Sequence, residues 1–115
     1  MKQLWFIMIY TLEQIKELVE PIAVKYNLKT LWVFGSYARG EATEESDVDF
    51  LIDFKGSKAL NLRGYVGMAN EIEKKISKKI DMVSLYNLYG PTNVTYFPTF
   101  VNIVTTERVM IYERK

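Results

Sequence analysis

The chain has 115 residues, with 15 Lys plus Arg against 14 Asp plus Glu and neither Cys nor His. That length supports one layered core but not a catalytic domain beside a separate substrate domain, so a large substrate must meet an exposed face. The near-zero net charge argues against a general nucleic-acid binder, and the missing Cys and His exclude zinc fingers, thiol redox chemistry, His-activated nucleophiles and histidine metal sites. Catalysis is left to carboxylates, hydroxyls, Lys or Arg. The absence of Cys fits a reducing cytoplasm.

The opening "MKQLWFIMIY" is too short to span a bilayer, and no small-residue cleavage site follows it. Residues 1–10 therefore read as an apolar extension, an extra strand or a packing or dimer surface, ahead of one domain over 11–115. No membrane association is expected. Thr11-Leu-Glu-Gln14 has the capping-box pattern, and Leu12, Ile15, Leu18, Ile22 and Tyr26 recur at helical spacing, which predicts a first helix bent near Pro21.

Leu31-Trp-Val-Phe34 is apolar on both faces, as in a central strand, and stops at Gly35. From Asp47 to Phe54 the pattern alternates, with Val48, Phe50, Ile52 and Phe54 on a core face and Asp47, Asp49, Leu51 and Asp53 on an acidic one. Leu62, Val66, Ala69, Ile72 and Ile76 mark a second helix, weakened by Gly64 and Gly67. Lys79 to Leu85 predicts a third strand bearing Asp81. Residues 86–98, "YNLYGPTNVTYFP", have loop punctuation, and the stretch from Thr99 to Glu113 predicts a short helix and a last strand.

The chemistry concentrates between residues 34 and 54. Two residues apart on a strand, Asp47 and Asp49 project from one face, close enough to share divalent cations and mutually repulsive without them. Oxygen ligands without His or Cys favour magnesium or manganese, and magnesium usually completes its shell with water and substrate phosphates. Gly35-Ser36, at the end of a strand and the start of a helical turn, exposes backbone N–H groups to an anion, with the Ser36 hydroxyl as a further donor. Asp81, on a strand beside this pair, adds a third carboxylate to take a proton from an attacking hydroxyl or to hold a second metal.

Gly35-Ser36, ten residues, Asp47-x-Asp49 and then Asp81 in "KKIDMV", together with "GSYARGEA" and "ERVMIYE", resemble the polymerase-beta-type nucleotidyltransferase superfamily. Within it the chain is most similar to the minimal nucleotidyltransferases, over roughly residues 11 to 113. The resemblance implies an α+β fold, a mixed sheet flanked by helices. It also implies transfer of AMP from ATP with two magnesium ions on Asp47 and Asp49, phosphates on Gly35 and Ser36, and Asp81 as the residue that activates the acceptor and completes the metal set.

In that branch the protein is commonly the antitoxin of a helical HEPN ribonuclease, which it silences by adding AMP to a tyrosine. The partner implied is thus a HEPN-type toxin in a hetero-oligomer or around a homo-oligomer, with no direct nucleic acid. Two alternatives remain: an antitoxin that acts by binding alone, and an enzyme that modifies a small hydroxyl compound.

Several residues have plainer readings beside these. Arg39 either contacts phosphate or pairs with Glu41. Asp53 reads as exposed solubilising charge, Glu44 and Glu45 as solvated loop residues, and Lys74, Lys75, Lys78 and Lys79 as the polar end of a helix. Tyr86, Tyr89 and Tyr96 are packing residues or recognition residues.

Overall fold

The computed structural model describes residues 9–115, so expectations for residues 1–8 lie outside the described residues. Helix α1 (Leu12–Lys25) starts as its capping box predicts. The Gln14 amide donates to Thr11 Oγ1 at 3.0 Å, and the Thr11 amide donates to Gln14 Oε1 at 2.9 Å. The helix runs on through Pro21, which lies exposed within it. Tyr10, grouped by the sequence with the apolar extension, belongs to the core instead: it is 4% exposed, and its hydroxyl donates to the Ile76 carbonyl at 2.6 Å.

Strand β1 (Thr30–Phe34) is buried at every position. It pairs antiparallel with β2 (Val48–Asp53) on one side and with β4 (Val109–Glu113) on the other. Strand β3 (Ile80–Ser84) adds to β2 in parallel, which gives the mixed order β3-β2-β1-β4. The α+β expectation therefore holds. Between β1 and β2 lie the four-residue turn α2 (Ser36–Arg39) and the acidic loop, and α3 (Leu62–Ile76) makes the crossover that a parallel pair requires.

Two layers of side chains hold the sheet. On one face Ile15, Val19, Met68, Ile72 and Ile76 of α1 and α3 pack on Leu31, Val33, Val48, Phe50 and Ile52. On the other, Trp32, Phe34 and Leu51 meet Leu88, Val101 and Val104. Leu51 is fully buried there, so the second face of β2 is not simply acidic. Its two ends, Asp49 and Asp53, are partly exposed, while Leu51 between them contributes about 2 kcal/mol of burial beneath a second helical layer.

That second layer corrects the reading of residues 86–98 as a loop. The segment folds as α4 (Leu85–Leu88), α5 (Pro91–Tyr96) and the start of α6 (Pro98–Glu107). The two prolines that read as breakers each occupy a first-turn position, where the missing N–H has no helical partner to lose.

Gly64 is also more than a weak point in α3. A Cβ there would lie 2.6 Å from the Lys58 carbonyl oxygen and 3.0 Å from Ala59 Cα. The absence of a side chain lets the preceding loop close onto the helix.

Candidate active site

The acidic residues meet where β1 ends. Phe34 is the register partner of Asp49, and Asp49 is in turn the partner of Asp81 across the parallel pair. The sheet thus places Asp81 directly beside Asp49 although 31 residues separate them in sequence. Asp47 stands one residue before β2, exposed, and Asp81 is exposed on the edge strand.

Asp49 is half-buried, and its carboxyl is pushed up to about 6. Burial is the first cause, followed by a hydrogen bond with Asp81 and by the negative charges of Asp81, Asp47 and Glu107. Each of these disfavours the ionised form, and a divalent cation would reverse all the charge terms together.

Gly35 covers this carboxylate. Its φ is +74°, and a Cβ built on it would stand 2.1 Å from Asp49 Oδ2. Only glycine provides both the backbone conformation and the space. Ser36 then opens α2, whose first amides have no partner within the turn. Buried Tyr37 anchors the turn in the core.

Arg39 makes the pair that one of its two readings expected, and a second one. Its Nε donates to Glu41 at 2.9 Å, and its Nη1 donates to Glu107 at 2.7 Å. Asp53, expected to be an exposed solubilising charge, is half-buried, and its Oδ1 accepts from the Lys55 amide at 3.0 Å. It lines an apolar cavity of about 430 Å³ with Ala59, Leu60, Tyr65 and Tyr86. That cavity lies toward the far ends of β2 and β3, so the carboxylate cluster and the apolar hollow are separate features.

The donor set suits a hard cation. Among the described residues no three acidic side chains are already gathered as a metal cage. Magnesium does not require one, since one or two carboxylates with water and substrate phosphates complete its shell. The repulsion that Asp81, Asp47 and Glu107 exert on an ionised Asp49 is what such an ion would relieve.

The family profile described as Polymerase beta, Nucleotidyltransferase matches residues 13–115. The chain belongs to this nucleotidyltransferase family. A Methanocaldococcus jannaschii protein whose name carries a provisional protein adenylyltransferase assignment is 34% identical over 85 residues, 70% of this chain and 85% of its own length. The protein adenylyltransferase MntA of Thermococcus cleftensis is 32% identical over 77 residues, 64% of this chain and 76% of that protein.

Among solved structures, a minimal nucleotidyltransferase superposes with TM-score 0.60 at 26% identity, over 87% of this chain and 95% of that one. The Shewanella oneidensis complex of a tri-AMPylated HEPN toxin with its MNT antitoxin has a matching chain with TM-score 0.57 at 14% identity, over 90% of this chain and 74% of that one. At that identity the match speaks for the fold. This chain is thus a nucleotidyltransferase of the minimal, single-domain kind.

Two residues around this candidate site escaped the sequence. Glu107 is only 14% exposed and reaches both Arg39 and the field of Asp49. Its sole sequence signal was its place in "ERVMIYE". Lys78, grouped with a solvated lysine run, is buried, and its Nζ donates to the Glu44 carbonyl at 3.0 Å. It ties the acidic loop to the end of α3, just before that loop delivers Asp47.

Proposed function

We propose that this nucleotidyltransferase moves AMP from ATP to a hydroxyl of a partner protein, a tyrosine of a helical HEPN-type toxin, and thereby acts as its antitoxin. The observation that carries the reading is the register of Asp49 beside Asp81, with Gly35 held against the Asp49 carboxylate. Relatives named as protein adenylyltransferases support it, as does a fold shared with a chain of the complex between a tri-AMPylated HEPN toxin and its MNT antitoxin.

Asp47 and Asp49, with Asp81 beside them, would hold two magnesium ions, which when bound supply positive charge against the triphosphate. Gly35 keeps the turn close to Asp49, and the amides of Ser36 and its neighbours donate to the terminal phosphates. Asp81 accepts the proton of the acceptor hydroxyl as its oxygen bonds to the α-phosphorus. The bond from that phosphorus to the bridging oxygen breaks, and pyrophosphate leaves. The chain's lack of Cys fits action in the reducing cytoplasm. Among the described residues no helix is long and apolar enough to cross a membrane.

The test is incubation with labelled ATP, magnesium and the protein encoded by the adjacent reading frame. The expected product is that protein carrying one or more AMP units on tyrosine, absent with Asp47→Asn. If no label appears while Asp47→Asn protects cells as well as the wild type does, neutralisation is by binding alone.

A further inference from the structure

Residues 82–106 carry no Asp, Glu, Lys or Arg, in a chain of which a quarter is charged. The segment is nevertheless far from buried. On α5 and α6, Tyr96 is 74% exposed, Phe97 56% and Ile103 49%, while Phe100 is 39% exposed. Depletion of charge with enrichment in exposed aromatic residues is the composition of an interface centre, not of a solvated surface.

The arrangement on α6 gives this surface a direction. Val101 and Val104 form the stripe that enters the core. Phe100, Ile103 and Glu107, at three- and four-residue spacing on α6, form the neighbouring stripe, and Tyr96 at the end of α5 precedes it in the chain. Phe100 meets the edge of Phe34 with ring centroids 6.2 Å apart, and Phe34 is the register partner of Asp49. At the other end Glu107 binds Arg39 and lies within the field of Asp49. The apolar stripe therefore runs directly into the carboxylate cluster.

We infer that α5 and α6 form the docking surface for the acceptor protein, which lays an uncharged, apolar helical face along Tyr96, Phe100 and Ile103 and so brings its hydroxyl to Asp49 and Asp81. The inference rests on the proposed reading that the acceptor is a protein. A second copy of this chain is the weaker occupant. The stripe ends at the carboxylate cluster, so a protein seated on it faces that cluster, as an acceptor must and a structural self-contact need not.

The test compares the wild type with a Tyr96→Lys, Ile103→Lys variant and, as a second disruption, Phe97→Glu. Val66→Lys, at an exposed apolar position on α3, is the control. Each chain is assayed for its thermal shift with ATP and magnesium, for its affinity for the purified adjacent-frame protein, and for AMP transfer to that protein.

The docking variants should keep the nucleotide shift, bind the protein at least about tenfold more weakly, and regain wild-type transfer at saturating acceptor. The control should match the wild type throughout. Wild-type affinity in both docking variants overturns the inference. So does failure of the wild-type chain to bind that protein, or a self-associated wild type that Ile103→Lys converts to monomer. A wild type that binds but transfers no AMP refutes the proposed reaction alone, because the affinity comparison still decides the docking surface.

Discussion

A Cβ on residue 35 would fall 2.1 Å from Oδ2 of Asp49. The glycine that follows β1 and the second residue of β2 thus leave no room for a side chain between them, and the Gly35-Ser36 turn and the carboxylate cluster are a single unit. Gly35 also has φ +74°, so a side chain there meets both backbone strain and collision. Gly35→Ala should displace the Asp49 carboxylate and lower AMP transfer by roughly 100-fold or more, since misplacement by about 1 Å has that effect. Single-turnover transfer, with circular dichroism to confirm the fold, measures this; transfer within a few-fold of wild type would refute the coupling.

Asp49 should limit the stability of the metal-free fold. Its carboxyl rises from 3.8 to about 6 on folding, so between those values the folded chain holds the proton more tightly than the unfolded one. That stabilising contribution is complete below about pH 4 and is lost as pH rises through about 6. With chelator present, Asp49→Asn should melt about 4 °C above wild type near neutral pH, from roughly 1 kcal/mol after allowance for solvent screening. The gap should close near pH 4, and magnesium with ATP should stabilise only the wild type. An equal or lower melting temperature for the variant at neutral pH would exclude this account.

The two glycines of α3 should respond oppositely to alanine. At Gly67 an added Cβ would meet Tyr26 Oη at 3.5 Å, an ordinary contact, whereas at Gly64 it would collide with the Lys58 carbonyl at 2.6 Å. Gly67→Ala should stabilise by about 0.5–1 kcal/mol through helix propensity, and Gly64→Ala should destabilise by about 1–3 kcal/mol. Urea denaturation gives both values. The same sign for both would show that the loop before α3 yields to the added methyl.

Lys78→Met keeps the buried stem but removes the ammonium that donates to the Glu44 carbonyl. The expected cost is about 1–2 kcal/mol of stability. A slower AMP transfer should accompany it, because the acidic loop that delivers Asp47 loses a tether. Activity unchanged at a temperature where the variant is fully folded would show that β2 alone positions Asp47.

Much of the fold was legible along the chain because its signals are local. The capping box of Thr11 and Gln14 reports α1 from three residues' separation, and the alternation from Asp47 onward reports β2. The second helical layer was not legible. Pro91 and Pro98 carry the same punctuation in a loop as in a first helical turn, and only the packing of Leu88, Val101 and Val104 on Leu51 chooses between them. The buried role of Lys78 was hidden for a similar reason, since a lysine beyond a helix end is normally solvated.

By itself the sequence determined the chemistry available: without His or Cys, it leaves carboxylates and hydroxyls, and it brings the candidate residues Gly35, Ser36, Asp47 and Asp49 together in one stretch. Tertiary structure decided what that chemistry touches. Strand register sets Asp81 against Asp49, and the end of α6 brings Glu107 to Arg39 across 68 positions. No local pattern encodes those neighbours, because they follow from which strand pairs with which and from the helical layer folding back over the sheet.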